Sequence, residues 1–333
     1  MQIRVVGDVN LRNFSVGTSP FRNLVDHFGK ADYLLGGLEG CFYDTSVGLD
    51  YKPGWFHAGE GKGSILKEAG FTAMAMANNV TFGEPAIRQT IKELDEVGIA
   101  HSGAGMSIGE ATTPAIFNVG QTRIGMIAYT TVYWPIGHAA TSTQAGVATI
   151  SVATAYQPHP RLVEMPGAPA LVVTMVDGDD QQDLSTAVSR LRDQVDVVLV
   201  FFHWGVSGSR DTLEYQKTLA HASIESGADA VFGTHPHVIQ RIEVYKERPI
   251  FYSMGNCVFG WERMDRAWIG LLAMLEFDEA STLTGTTGYF IRHDADNPEV
   301  YVSAPNDVPE EVHFLAESSP AVKMRPENFR IDL

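Results

Sequence analysis

Six short apolar runs punctuate the chain: Ile3 to Gly7, Tyr33 to Leu38, Thr72 to Ala77, Ile124 to Tyr129, Val197 to Phe202 and Ala230 to Gly233. Each has strand length and is followed by a polar residue, so the set is read as buried strands. Amphipathic helices are expected between them, most clearly over Glu84 to Val97, Asp183 to Asp193 and Thr212 to Ser226. Pro85 stands in the first turn of the first helix, where its missing N–H leaves no bond unmade. Strands alternating with helices predict an α/β fold. Farther on, Val238 to Tyr245, Ile250 to Met254, Trp268 to Phe277 and Thr286 to Ile291 follow one another with little helix between them, which predicts a second sheet packed on the first.

Residues 142 to 180 are rich in Pro, Gly and Thr and have no period; they are expected to form an excursion beside the site. The polar stretch 294–333 is expected to lie on the surface, as an extension of one domain spanning 1–293. A hydrophobic content of 44% gives that domain ample material for a core. The net charge of −16 opposes phosphate backbones and anionic lipid, so neither nucleic acid nor membrane is expected as a partner. A small-molecule substrate is expected instead, and homo-oligomerisation is left open. The two cysteines, Cys41 and Cys257, sit in apolar stretches and are expected to be buried thiols. The opening Met1-Gln-Ile-Arg-Val-Val-Gly lacks the basic and apolar regions of a signal peptide, which gives a cytoplasmic expectation.

The chemistry gathers where the runs stop. Ala230 to Gly233 leads into Thr234-His235-Pro236-His237, and Val197 to Phe202 leads into His203-Trp204-Gly205. Asp8 and Glu39 close the first two runs, and Asn78-Asn79 closes the third. Separately, each has a bland explanation as a turn residue or an N-cap. Together they matter, because parallel α/β sheets place sites beyond the carboxyl ends of their strands. Mixed His, carboxylate and amide donors suit divalent Mn, Fe or Zn, whereas a structural zinc would favour Cys. No phosphate-binding glycine loop follows the first strand, which argues against a nucleotide-binding enzyme.

Gly7-Asp8-Val9, Leu38-Glu39, Ala77-Asn78-Asn79, His203-Trp204-Gly205, Gly233-Thr-His-Pro-His237 and Tyr252-Ser-Met-Gly-Asn256, in that order, resemble the CapA-type poly-γ-glutamate biosynthesis proteins. That family is a branch of the calcineurin-like metallophosphoesterases, and the resemblance covers roughly residues 1 to 275. It implies a four-layer αββα sandwich. It also implies a dinuclear centre activating a bridging hydroxide, with Asp8 and His237 on one ion, Asn79, His203 and His235 on the other, and Glu39 bridging. Asn10 stands where the superfamily often has a His ligand, and Asn78 competes with Asn79 as the amide ligand.

One departure bears on mechanism. Relatives continue Asn-Asn-His, with that His serving as proton donor, but this chain has Val80 there, which cannot transfer a proton. General-acid help is typically worth roughly 10² to 10⁴ in rate. His57, His138 and His159 are the candidate substitutes, with His57 favoured, and Arg12, Tyr156 and Trp204 are the further candidate substrate contacts. The expected activity is therefore hydrolysis of a small phosphoester, amide, ester or lactone. The alternative is a non-catalytic accessory role in γ-glutamyl polymer synthesis.

Overall fold

A computed structural model of the chain describes residues 1–29, 32–49, 52–260, 267–295 and 297–333. The chain begins in a ten-stranded sheet with β1 (Gln2–Asn10), β2 (Tyr33–Leu38), β3 (Ala73–Ala75) and β4 (Ala100–Ser102). It then crosses to a six-stranded sheet for β5 (Ala115–Val119), β6 (Thr122–Thr130), β7 (Val197–His203), β8 (Ala230–Thr234), β9 (Ile242–Tyr245) and β10 (Arg248–Phe251). Finally it returns to the first sheet for β11 (Asn256–Phe259), β12 (Trp268–Phe277), β13 (Leu283–Asp294), β14 (Asn297–Ser303), β15 (Val322–Met324) and β16 (Phe329–Ile331).

The two sheets face each other across one apolar layer. Ile3, Val5 and Leu35 of the first sheet share it with Met126, Leu199 and Phe232 of the second. The outer faces are covered by helices: α1 (Gly63–Ala69) and α2 (Glu84–Glu96) on the first sheet, α3 (Gly178–Arg192) and α4 (Glu214–Glu225) on the second. The strands buried on both faces read as unbroken apolar runs for this reason. The architecture is the four-layer αββα sandwich of the calcineurin-like type.

The late strands do not make a second sheet of their own. β9 and β10 complete the six-stranded sheet, while β11 to β13 join β1 in the ten-stranded one. The C-terminal stretch departs from its surface expectation too. β14 pairs with β13, β15 and β16 extend the same sheet, and helix α5 (Pro309–Ser318) seats Leu315 in the inter-sheet core with Phe329 and Ile331. Its polar residues alternate with the apolar ones that face inward, so average polarity hides the strands. The excursion does contain an ordered ribbon, Val152–Gln157 paired antiparallel with Leu171–Val176. No helix among the described residues is long and apolar enough to cross a membrane.

β1, β2, β3 and β4 run parallel to one another, as do β6, β7, β8 and β10 in the facing sheet. Parallel pairing sends their carboxyl ends to a common edge, and there the polar residues that close the apolar runs meet. Gly7 makes the approach of β11 to β1 feasible, since a Cβ there would lie 1.9 Å from the Gly255 carbonyl oxygen.

Candidate metal centre

Asp8, Glu39 and His237 converge, with ligand-capable atoms all within 4.8 Å of one another. Asp8 is 1% exposed, and its Oδ2 accepts the backbone N–H of His235 at 2.9 Å. Its Oδ1 is buried and has no hydrogen-bond partner among the described residues. Burial, with the neighbouring Glu39 carboxylate second, pushes the Asp8 carboxyl up to about 7. Two carboxylates in a water-poor pocket are costly unless a cation compensates them.

Asn79, His203 and His235 form the adjoining group. His203 Nε2 lies 3.1 Å from Asn79 Oδ1 and 3.1 Å from His235 Nδ1. On its far side, His203 Nδ1 lies 3.0 Å from the Thr234 hydroxyl, which can accept the Nδ1 proton and leave Nε2 with its lone pair toward the site. Thr234 was not singled out from the sequence, although it belongs to the same short motif as the two histidines. That motif is held in an uncommon shape. His235 has φ 93° and His237 φ 57°, a left-handed backbone that costs of order 1–3 kcal/mol per non-glycine residue and is found mostly where function requires it. The bond from the His235 N–H to Asp8 ties this turn to the first sheet.

The register of the Asn-Asn turn is also settled by hydrogen bonds. Asn78 Nδ2 donates to the carbonyls of Leu38 and Met76, and its Oδ1 accepts from the N–H groups of Val80 and Thr81. Asn78 thus builds the turn, and Asn79 is the amide brought to His203. Asn10 has a similar positioning geometry. Its Nδ2 donates to the Glu39 carbonyl at 2.8 Å and its Oδ1 accepts the Arg12 N–H, so both ends of the amide serve the backbone.

The remaining candidates are dispersed. Trp204 is fully buried, donates to the Tyr252 carbonyl at 2.7 Å and stacks on Phe202 at 4.4 Å, which makes it a core residue. Tyr156 is 73% exposed on the excursion ribbon. A cleft of about 520 Å³ opens at His237 and is lined by Arg210, Trp268, Arg292, His293 and Asp307, with neither Trp204 nor Tyr156 on its walls. Arg12 donates to the Gly54 carbonyl and lies 5.2 Å over the Phe56 ring, bracing the segment that carries His57. His57 is buried edge-on to Tyr43, beside the turn that follows Glu39, and burial holds its pKa below the usual imidazole value.

His138 is committed elsewhere. Its Nδ1 accepts the Trp134 N–H, so Nε2 carries the proton and donates to the Thr81 carbonyl at 3.0 Å. Burial pushes its pKa down to about 4. A proton on Nδ1 would face the Trp134 N–H, so the folded state resists protonation that the unfolded chain accepts near pH 6.5. Stability from this group is therefore full above pH 6.5 and declines as pH falls toward 4, by about 3 kcal/mol in all. Urea unfolding at a series of pH values should show His138→Gln losing less stability than the parent over that window. Parallel curves for the two proteins would rule the account out.

A family model described as "Bacterial capsule synthesis protein PGA_cap" matches residues 3–261. The chain belongs to this family. Among curated relatives, the Capsule biosynthesis protein CapA of Bacillus anthracis is 29% identical over 255 residues, covering 73% of this chain and 54% of the relative. The PGA biosynthesis protein CapA of Bacillus subtilis (strain 168) is 28% identical over 251 residues, covering 74% and 58%. This PGA_cap family member thus spans little more than half the length of either relative. Among solved structures, a novel phosphatase from Mycoplasma pneumoniae superposes with a TM-score of 0.54 at 16% identity, covering 88% of this chain and 94% of that one. The shared fold is that of the metallophosphoesterases. The donors of the candidate centre all fall inside the matched residues, whereas α5 and the last strands of the first sheet lie beyond them.

Proposed function

We propose that this PGA_cap protein is a metal-dependent hydrolase of a polar small molecule, with a dinuclear centre at the shared edge of its two sheets. The observation that supports this most is the meeting of two donor groups there, Asp8, Glu39 and His237 beside Asn79, His203 and His235. Their chemistry fits divalent cations, since nitrogen and oxygen donors are mixed and the buried Asp8 Oδ1 otherwise lacks a hydrogen-bond partner. Mn, Fe or Zn ions bound there would supply a nucleophile at neutral pH and polarise the bond under attack.

The protein's own residues define the rest. Glu39, at the end of β2, is the carboxylate both ions would share. Thr234 sets the tautomer of His203, and Asn10 and Asn78 fix the turns that present Glu39 and Asn79. The cleft at His237 would admit the substrate past Arg210, Arg292 and His293. Val80 packs with Trp55 and Phe259 in an apolar cluster, and His57, kept neutral by burial, is a weak acid at pH 7. This set favours an ester, a lactone or an activated phosphoester, whose leaving group departs with little protonation.

Elemental analysis combined with phosphodiester, amide and ester substrates tests the reading. Two transition ions per chain, lost with activity on chelation, are expected. Manganese at about 100 times its dissociation constant should stabilise the chelated protein by about 2.7 kcal/mol, raising Tm by roughly 4 °C in a thermal melt. A folded protein that takes up no metal and shows no thermal shift would favour an accessory role in polymer synthesis, consistent with the relatives' names.

A further inference from the structure

Asn256 opens β11, directly opposite Asp8 in the parallel pairing of β11 with β1. Its backbone is clamped from the other side by β12, where a Cβ on Gly270 would lie 2.0 Å from the Asn256 carbonyl oxygen. The side chain is fully buried. Its Oδ1 lies 2.9 Å from His237 Nδ1, and its Nδ2 has no hydrogen-bond partner among the described residues. An ordinary hydrogen bond between the two side chains would need the proton on Nδ1, leaving the lone pair on Nε2.

A cation bound in the proposed centre would displace that proton. Nδ1 is the nitrogen that faces the carboxylates, 3.8 Å from Asp8 Oδ2 and 3.9 Å from Glu39 Oε2. A cation received between those carboxylates draws on the Nδ1 lone pair, and a deprotonated Nδ1 gives the amide oxygen nothing to accept. Two lone pairs at 2.9 Å repel each other, and a cation to which both point removes that cost. Donors at right angles around an ion with bonds of about 2.1 Å stand about 3 Å apart. The adjoining group has the same signature, with His203 Nε2 3.1 Å from two other donors.

We propose that Asn256 Oδ1 is a direct ligand of the ion held by Asp8, Glu39 and His237. The proposal rests on the dinuclear reading above and deepens it. Asn256 fills the place expected of Asn10, whose amide is engaged by the backbone. It makes the two halves chemically unequal. Three oxygen donors and one imidazole form the harder half, suited to Mn or Mg, while the half with two imidazoles suits Zn or Fe.

The test loads the protein, carrying isotope-labelled histidine, with NMR-active cadmium. His237, assigned by its absence in His237→Gln, is expected to couple to cadmium through Nδ1. Coupling through Nε2, with Nδ1 protonated, would overturn the proposal while leaving the dinuclear reading intact. Calorimetric titration gives a second readout. Asn256→Ala should bind one of the two cadmium ions more weakly by at least roughly 10- to 100-fold, and Asn256→Asp should restore it. Two equally tight ions in Asn256→Ala would also overturn the proposal. Should Asn256→Ala fail to fold, the coupling measured in the unaltered protein decides alone. A wild-type protein that binds no cadmium would sink the dinuclear reading itself, and this inference with it.

Discussion

Replacing His203 with alanine is expected to lower hydrolysis by about 10³-fold and to release metal in the same step, because ligand loss removes several kcal/mol of transition-state stabilisation. The side chain is 2% exposed and sits at the junction of Asn79 and His235, with Thr234 fixing its far nitrogen. No neighbour can swing into its place without leaving its own partner. His237→Ala should have the same effect through the other half of the centre. His221→Ala is the control, since that ring, on α4, stacks on Tyr245 at 3.9 Å and meets Glu243 of β9 at 3.2 Å, in contacts that involve none of the proposed ligands. Metal content by elemental analysis and steady-state rates, taken on the same preparations, decide the matter. Full metal and full activity after both ligand changes would remove these histidines from the mechanism.

Those histidines could be found in the sequence because burial and topology leave the same mark on it. A central parallel strand covered on both faces must be apolar throughout, as in Val197 to Phe202, and its first polar residue then marks the open edge of the sheet. Asp8, Glu39 and His203 announce themselves in this way, and His235 follows one residue later, after Thr234. What the pattern does not carry is which strands share a sheet. β1 and β12 are hydrogen-bonded neighbours although more than half the chain separates them, and nothing local to either records the other. The expectation of a second large sheet packed on the first therefore holds, beside three two-stranded ribbons among the described residues, while the division between early and late strands does not. The C-terminal strands were missed for a related reason: edge strands with one wet face have mixed composition that resembles a loop.

Asn78 and Asn79 are identical in chemistry, and only the four hydrogen bonds of Asn78 show which of them builds the turn. Trp204 adjoins a candidate ligand in sequence, but residues adjacent on a strand point to opposite faces, so its ring enters the core under α4 as His203 faces the edge. Tyr156 was drawn in by its place in a long excursion, and that ribbon leaves it in solvent. Asn256 was already part of the recognised Tyr252 to Asn256 motif. It stands at the start of a strand rather than the end, so the pattern of apolar runs closing on polar residues does not mark it.

The second large effect is a gain. Val80 follows Asn79 directly, is fully buried, and shares its apolar cluster with Trp55 and Phe259. Phe259 in turn meets the His237 ring edge-on at 4.9 Å, so the cluster borders the candidate centre. Val80→His would put an imidazole where the family resemblance leads one to expect a proton donor. For a substrate with a poor leaving group, such as an alkyl phosphoester, the turnover rate should rise by roughly 10²-fold or more, the range of general-acid help. For an aryl ester or phosphoester with an acidic leaving group the rate should scarcely change, because that oxygen leaves without a proton. Burial works against the new donor by disfavouring its charged form, so the gain should be larger at pH 6 than at pH 8. A general loss of packing would depress both substrates alike and cannot imitate this selectivity. Measuring the two rates as a ratio therefore separates chemistry from stability, and an unchanged ratio across pH would mean that the missing proton donor does not limit this protein.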